Sequence, residues 1–311
     1  MVLCSLCGRE PAVAKLRYAG VVLCRECFLR YFEERVRRTL DSLGLTHELS
    51  GKLVAVATSG GKDSLNTLFL LNKLKEEYDY DILAILIDEG ISGYREFKRK
   101  ALEAFCDKFK ISFKVVSMRD SLGYDIDTVA KLSYEGKIDL KPCSVCGVFR
   151  RYLVNLEALK AGVDYIATGH NLDDEVQTFI MNFIRGDLAS MVREGPFLHE
   201  DFPGFIPRFK PLYYVPEKES LIYFMLNGLE TPYVECPYAP LSMRYYIRNL
   251  INRIEYASPG TKLRILSLKE HLRTIKGKVP SPSLRKCEIC GMPTTRRVCR
   301  TCEIRMLLSR V

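Results

Sequence analysis

The chain has 311 residues, 47% hydrophobic and 27% charged, enough for one large or two modest domains and too ordinary in composition for a disordered or fibrous protein. Its longest apolar runs fall far short of the roughly 20 residues that cross a bilayer, and its first residues lack the basic and apolar regions of a signal peptide, so a cytoplasmic protein without membrane association is expected. The net charge of +9 is gathered at one end: residues 241–311 hold 16 Lys and Arg against four acids, while the first 240 hold 31 against 34, which suits either a polyanionic partner or a solvated helical face.

Eleven of the 12 cysteines fall into patterned groups. At the amino-terminal end Cys4 and Cys7 are followed, sixteen residues on, by Cys24 and Cys27, a spacing that matches a four-thiolate zinc site. Four thiolates leave no open position for substrate, so such a site is structural. Residues 28–43 then read as a helix, with Phe28, Tyr31, Phe32 and Val36 on one face and Gly44 as its stop.

Strands and helices alternate from there. Residues 52–57 predict a buried strand and 62–77 a helix; 81–88 a strand and 94–109 a helix; 112–118 a strand, 146–161 a helix, 164–168 a strand and 173–185 a helix. This pattern implies βαβ units, a parallel α/β sheet covered on both faces, and a ligand site outside the carboxyl ends of its strands. Between the first strand and its helix stands Ala57-Thr-Ser59-Gly60-Gly61-Lys62-Asp63-Ser64. Two glycines permit a tight turn, and hydroxyls with successive N–H groups at a helix start make an anion cradle, here expected to hold a phosphate chain. Asp88 ends the second strand and is suited to adenosine contacts or Mg2+.

Pro142-Cys143-Ser-Val-Cys146 offers one further cysteine pair, and Cys236 is the third thiol in a distinctive context. Three thiolates cannot close a four-thiolate site; they could hold a 4Fe–4S cluster with one open iron or act as a persulfide relay. Cys106 sits in a helical apolar pattern and reads as core. Gly169-His170-Asn-Leu-Asp173-Asp174 closes a later strand and opens a helix, with His170 either meeting a nucleotide or capping that helix, and Asp173 a plain first-turn acid. Residues 186–216, rich in Gly, Pro and Phe, predict a long ordered loop over a site. Residues 216–226 and 242–253 predict helices, the second presenting Arg244, Arg248 and Arg253 near one face as candidate phosphate contacts. Cys287, Cys290, Cys299 and Cys302 repeat the four-thiolate arrangement at the other end. Three segments follow: an amino-terminal zinc finger and helix (1–44), a catalytic domain (45–240), and a basic helical region with a second finger (241–311).

The segment Ser59-Gly-Gly-Lys-Asp-Ser64 resembles the PP-loop of the ATP pyrophosphatases, an adenine nucleotide α-hydrolase-like, Rossmann-type fold. Taken with the cysteine trio, the Gly169–Asp174 segment and the two zinc patterns, the chain resembles the tRNA 2-thiouridine synthetases of the TtuA and cytosolic thiouridylase group, sister to the TtcA cytidine thiolases. The resemblance implies a tRNA sulfurtransferase that adenylates the C2 oxygen of a uridine and replaces it with sulfur, releasing AMP and pyrophosphate. It implies ATP and Mg2+ at Ala57, Ser59–Ser64, Asp88, Gly169 and His170, a 4Fe–4S cluster on Cys143, Cys146 and Cys236, two structural Zn2+, and Asp174 as an essential acid. It further implies a thiocarboxylated ubiquitin-like sulfur carrier and a homodimer. The T-loop uridine at position 54 is the expected target, with the anticodon wobble uridine at position 34 as the alternative. Two rival readings are a PP-loop ligase or amidase, which would not need the cysteine trio, and a zinc-based RNA-binding protein.

Overall fold

The computed structural model describes residues 2–199, 202–279 and 283–311. At the amino terminus β1 (Ala14–Leu16) and β2 (Val21–Leu23) form an antiparallel hairpin that leads into α1 (Arg25–Ser42). Phe28, Phe32, Val36 and Leu40 recur at helical spacing along α1 and are fully buried. Gly44, with φ +72°, ends this stretch and opens the short α2 (Leu45–Glu48).

The central sheet is built from β3 (Leu53–Thr58), β4 (Asp81–Asp88), β5 (Ser112–Ser117), β6 (Tyr165–Thr168), and the two-residue β7 (Phe197–Leu198) and β8 (Arg208–Phe209). Its order is β5-β4-β3-β6-β8-β7. All pairings are parallel except β7 with β8, where the chain doubles back at the sheet's edge inside the segment expected to be loop. Successive strands step from β3 outward through β4 to β5, and the chain then returns to the other side of β3 as β6. The crevice between the carboxyl ends of β3 and β6 is therefore the topological switch point at which such sheets bind ligands.

Alternation along β3 serves both faces. Val54 and Val56 join one core with Leu65, Leu68 and Leu71 of α3 (Lys62–Tyr78) and Leu102 of α4 (Arg95–Phe109). Ala55 joins the other with Met118 and Leu122 of α5 (Met118–Leu122), Val129 of α6 (Ile126–Tyr134), and Phe149 and Leu153 of α7 (Pro142–Lys160). Helix α7 starts at Pro142, four residues before its expected start, because proline at the first helical position has its φ already set and lacks an N–H that would go unpaired.

Beyond β6 come α8 (Leu172–Ile184), α9 (Leu188–Arg193), α10 (Glu217–Leu226), α11 (Met243–Ala257) and α12 (Thr261–Arg273). Ile247 and Ile251 of α11 and Leu266 of α12 pack with Leu172 and Val176 of α8 in one buried cluster. On α10, Tyr223 stacks on Phe32 of α1 with ring centroids 4.1 Å apart, which ties the amino-terminal module to the sheet domain. A small hairpin of β9 (Arg285–Lys286) and β10 (Pro293–Thr294) precedes α13 (Arg300–Leu308), whose Ile304 and Leu308 enter the core beside α7. Among the described residues no helix is long and apolar enough to cross a membrane.

Candidate active site and metal centres

The loop after β3 folds on itself through its own hydroxyls. Ser64 Oγ accepts from Ser59 N (3.2 Å) and donates to Gly61 O (2.9 Å), while Ser59 Oγ accepts from Gly61 N (3.4 Å). Gly60 adopts φ +73°, and a side chain there would strike the Lys98 carbonyl. Gly169, at the end of β6, is equally constrained: a Cβ would lie 2.8 Å from Ser64 N and 2.9 Å from Asp63 C. The two switch-point strands thus meet backbone to backbone around the start of α3, whose first residues line an open cavity of about 1670 Å3.

Ala57, Ser59, Gly61, Lys62, Asp63 and Ser64 line this cavity. Lys62 Nζ lies 2.7 Å from Asp63 and 2.8 Å from Glu217; burial opposes its charge, but the two carboxylates raise its pKa above the ordinary lysine value. Asp88 is placed differently from expectation. Its Oδ1 accepts from Gly90 N at 2.9 Å, closing the turn after β4, and Ile87 faces the cavity instead.

At the mouth of β6, Asn171 caps α8: its side chain accepts from Asp174 N, and Asp174 Oδ2 accepts from Asn171 N, both at 3.2 Å. His170 therefore does not cap the helix. Its exposed ring lines the cavity with Nδ1 3.0 Å from Thr168 Oγ1, and desolvation by the cavity walls together with the nearby cations Lys210, Arg150 and Arg244 lowers its pKa, which favours the neutral ring. Asp174 also lines the cavity. Burial, with repulsion from Asp63 and Glu217, outweighs Arg244 and pushes its pKa up to about 6. Asp173 does more than favour the helix start: it is buried, accepts from Glu217 N at 2.8 Å and pairs with Lys262, so it clamps α10 and α12 onto α8.

The cysteine pair occupies the first turn of α7. Cys143 Sγ donates to Tyr238 O at 3.1 Å, across the segment that carries Cys236. Burial raises the pKa of Cys143 and of Cys236, and that of Cys146 to about 12. Val234 and Glu235, just before Cys236, and Arg150, one turn beyond Cys146, line the same cavity as the loop after β3. Half-buried Cys143 and Cys146 at the start of α7, with half-buried Cys236 from the facing irregular segment, make a donor set of the kind that holds an iron–sulfur cluster through three ligands.

Among the described residues, two groups bring their ligand atoms within 4.8 Å of one another: Cys4, Cys7, Cys24 and Cys27, and Cys287, Cys290, Cys299 and Cys302. Gly8 and Gly291, at φ +67° and +73°, each turn the chain so that their N–H bonds the carbonyl of the first cysteine, at 2.9 Å. Both donor sets fit a tetrahedral Zn2+. The wider trio at Cys143, Cys146 and Cys236 does not meet this single-ion spacing.

Of the three arginines expected on one face of α11, Arg244 and Arg248 line the cavity. Arg244 holds Thr178 Oγ1 (2.7 Å), Gln177 Oε1 (3.1 Å) and Asp174 Oδ1 (3.5 Å). Arg253 is exposed outside the cavity lining, because nine residues at 100° each place it half a turn from Arg244. The sequence analysis missed Arg95 and Glu89. This pair is almost wholly buried, Arg95 donates to Ser59 O at 3.0 Å, and Glu89 stands 3.7 Å from Arg150, so it links the loop after β3 to the cysteine pair. Two opposite charges flanking the turn at Gly90 were the signal available.

Comparisons with known proteins agree with this geometry. Residues 32–253 match the family described as the PP-loop domain, and residues 3–29 match the N-terminal LIM domain of the 2-thiouridine synthetase TtuA. The chain is 36% identical to a probable sulfurtransferase of Methanocaldococcus jannaschii, over 97% of this chain and 87% of that one. It is 35% identical to the tRNA-5-methyluridine(54) 2-sulfurtransferase of Pyrococcus horikoshii, over 96% and 92%. Among solved structures, the U34-tRNA thiolase NcsA of Methanococcus maripaludis, determined with its [4Fe–4S] cluster, superposes with a TM-score of 0.82 at 31% identity, covering 97% of this chain and 95% of that one.

Proposed function

Because this chain belongs to the PP-loop family of tRNA 2-thiolation sulfurtransferases, we propose that it uses ATP to replace the C2 oxygen of a tRNA uridine with sulfur, releasing AMP and pyrophosphate. One observation carries the reading: the anion cradle at Ser59–Ser64 and residues flanking the cysteine trio open onto a single cavity.

A uridine C2 carbonyl is a poor electrophile. Attack of its oxygen on the α-phosphorus of ATP expels pyrophosphate and turns that oxygen into the leaving group AMP. The loop N–H groups and Lys62 hold the β,γ-phosphates and stabilise charge as it develops on the departing pyrophosphate. The attack requires loss of the uridine N3 proton, and Asp174, ionised above about pH 6 and facing the cavity, accepts it. Neutral His170 offers a ring to the nucleotide without adding charge. Sulfide then adds at C2, the C2–oxygen bond breaks, and AMP leaves. Mg2+ near Asp63 and Asp174 would offset phosphate charge. Bound by Cys143, Cys146 and Cys236, a [4Fe–4S] cluster would supply an iron open to an exogenous sulfur ligand. Zn2+ at each end would be structural: the first site seats α1, and the second seats α13 against α7.

The reading extends to segments 1–44, 45–240 and 241–311 as finger, catalytic domain and basic region with second finger; to a cytoplasmic homodimer; and to a thiocarboxylated ubiquitin-like carrier as sulfur donor. The T-loop uridine at position 54 is the proposed target, in line with the Pyrococcus relative. The superposition on a U34 thiolase favours the wobble position as the second reading. Unmodified tRNA incubated anaerobically with the iron-loaded protein, MgATP and sulfide decides between them by nucleoside mass spectrometry and fragment mapping. Thiouridine at position 54 or 34 names the target; no thiolated nucleoside from protein of verified iron content refutes the proposal.

A further inference from the structure

The cations of the cavity differ in their partners: Arg150 faces Glu89 at 3.7 Å, while Lys98, which donates to Pro232 O, and Lys108 of α4 have no carboxylate within 4.0 Å among the described residues. Lys62, Lys210, Arg244 and Arg248 each have a carboxylate within 3.5 Å. Arg151 and Arg208 line the same cavity, and among the described residues neither has a carboxylate within 4.0 Å. Arg208 is the more isolated: among the described residues its guanidinium makes one hydrogen bond, from Nη2 to Asn155 Oδ1 at 3.3 Å, and its buried Nε has no partner. The Asn155 amide is spent on Gly204 O at 2.9 Å, which fixes its carbonyl oxygen toward the guanidinium. Burial, and then Arg151, hold the pKa of Arg208 down to about 10. Arg151 lies one helical turn before Asn155 on α7, and its guanidinium folds back over Gly147, where a Cβ would approach Nη1 to 3.3 Å. Its guanidinium therefore lies toward the Cys146 end of α7, with Arg208 held at Asn155 further along the same helix, both on the cavity wall.

We propose that Arg208 and Arg151 form a binding site for a phosphodiester of the RNA substrate beside the reacting nucleotide. This inference rests on the tRNA thiolation reading. A phosphodiester is a monoanion with two free oxygens, which matches the forked donors of a guanidinium and supplies the counter-charge that both arginines lack. The phosphates of ATP are a poorer match. Arg208 lies two strands from β3, about 10 Å across the sheet, and it is paired in register with Ile166, well below the loop at Ser59–Ser64. A phosphate held by Arg208 and Arg151 sits along α7, the helix whose start carries Cys143 and Cys146, away from the loop at Ser59–Ser64.

The test uses full-length, iron-loaded protein with unmodified tRNA and neither ATP nor sulfur donor. Fluorescence anisotropy gives Kd between about 50 and 200 mM KCl for the wild type, Arg208→Met and Arg151→Met. Each variant is expected to weaken tRNA binding about tenfold, lower the slope of log Kd against log salt by about 1, and leave the affinity for MgATP, measured calorimetrically without tRNA, unchanged. Arg208→Lys should restore part of the loss. Should Arg208→Met not fold, Arg151→Met, whose side chain is open to the cavity, carries the test alone. Unchanged tRNA affinity and slope in the variants overturn the site, as does weakened MgATP binding with tRNA binding intact. A wild-type protein that binds no tRNA refutes the thiolation reading itself, a result distinct from failure of the site.

Discussion

Removing Arg244 should move the acid limb of the reaction. Its guanidinium stands 3.5 Å from Asp174 Oδ1, and two unit charges at that distance interact by about 1 kcal/mol when screened as in water and about 5 kcal/mol at an effective dielectric constant of 20. Asp174 is 32% exposed, so the lower figure applies, equivalent to about one pH unit. With Asp174 titrating at about 6, wild-type AMP formation in single turnover should fall below that pH with unit slope. Arg244→Met removes the charge that favours the carboxylate and should shift the midpoint up toward 7. Asp63→Asn removes a repelling charge and should shift it down, whatever it does to the plateau. Asp174→Asn should abolish the limb and slow AMP formation by about 10²–10⁴-fold. Midpoints that stay together in the two variants, or move the same way, would refute Asp174 as the proton acceptor. The raised pKa also means that the native state binds more protons than the unfolded chain between about pH 4 and 6, so Asp174 contributes less stability as pH rises through that window.

Other consequences are more local. Gly169→Ala drives a methyl group into the backbone of Asp63 and Ser64, and MgATP affinity should fall at least tenfold by calorimetry while the zinc content stays unchanged. Lys269→Met strips one of two cations from buried Glu175, leaving Lys210; about 2–3 kcal/mol of stability should be lost, a drop of about 5 °C in Tm by calorimetry. Despite burial, Lys210 and Lys269 hold Glu175 at about 2, so its pairing stabilises above the unfolded carboxylate range and is lost as pH falls from about 5 toward 2; in Lys269→Met that acid-dependent loss should shrink. Elemental analysis should find two Zn2+ per chain, reduced to one by Cys290→Ser, with loosening of α13 against α7 read as faster amide exchange in both helices.

The features that the sequence made legible are those fixed by nearest neighbours. The turn at Ser59–Ser64 is legible because strand, turn and helix are consecutive, and the turn holds Gly60 at φ +73° against the Lys98 carbonyl. The cysteine pairs are legible for the same reason, since each knuckle is closed by its own Gly8 or Gly291. Helices α5 and α6 escaped because they are only five and nine residues long, and α12 because what fixes it lies far along the chain: Lys269 is 94 residues from Glu175. Arg253 is a different case. The helical step of 100° already separates it from Arg244, and periodicity applied strictly would have removed it from the cavity.

The basic carboxyl-terminal region shows why charge counting locates a function poorly. Its 16 Lys and Arg against four acids suggest an outward face for a polyanion. Yet Lys269 is buried on Glu175, Lys262 pairs with Asp173 and the more open Arg244 pairs with Asp174, each stabilising the helix that carries Asp174. Three of these cations therefore neutralise the acids at the start of α8, which would otherwise repel a phosphate-rich substrate from the switch point. The cavity arginines left without a carboxylate among the described residues, Arg151 and Arg208, come from α7 and β8, in the part of the chain whose net charge is negative. What marks a charged group for a ligand here is the lack of a partner in the fold, and that follows from which elements pack together rather than from the number of like charges in a segment.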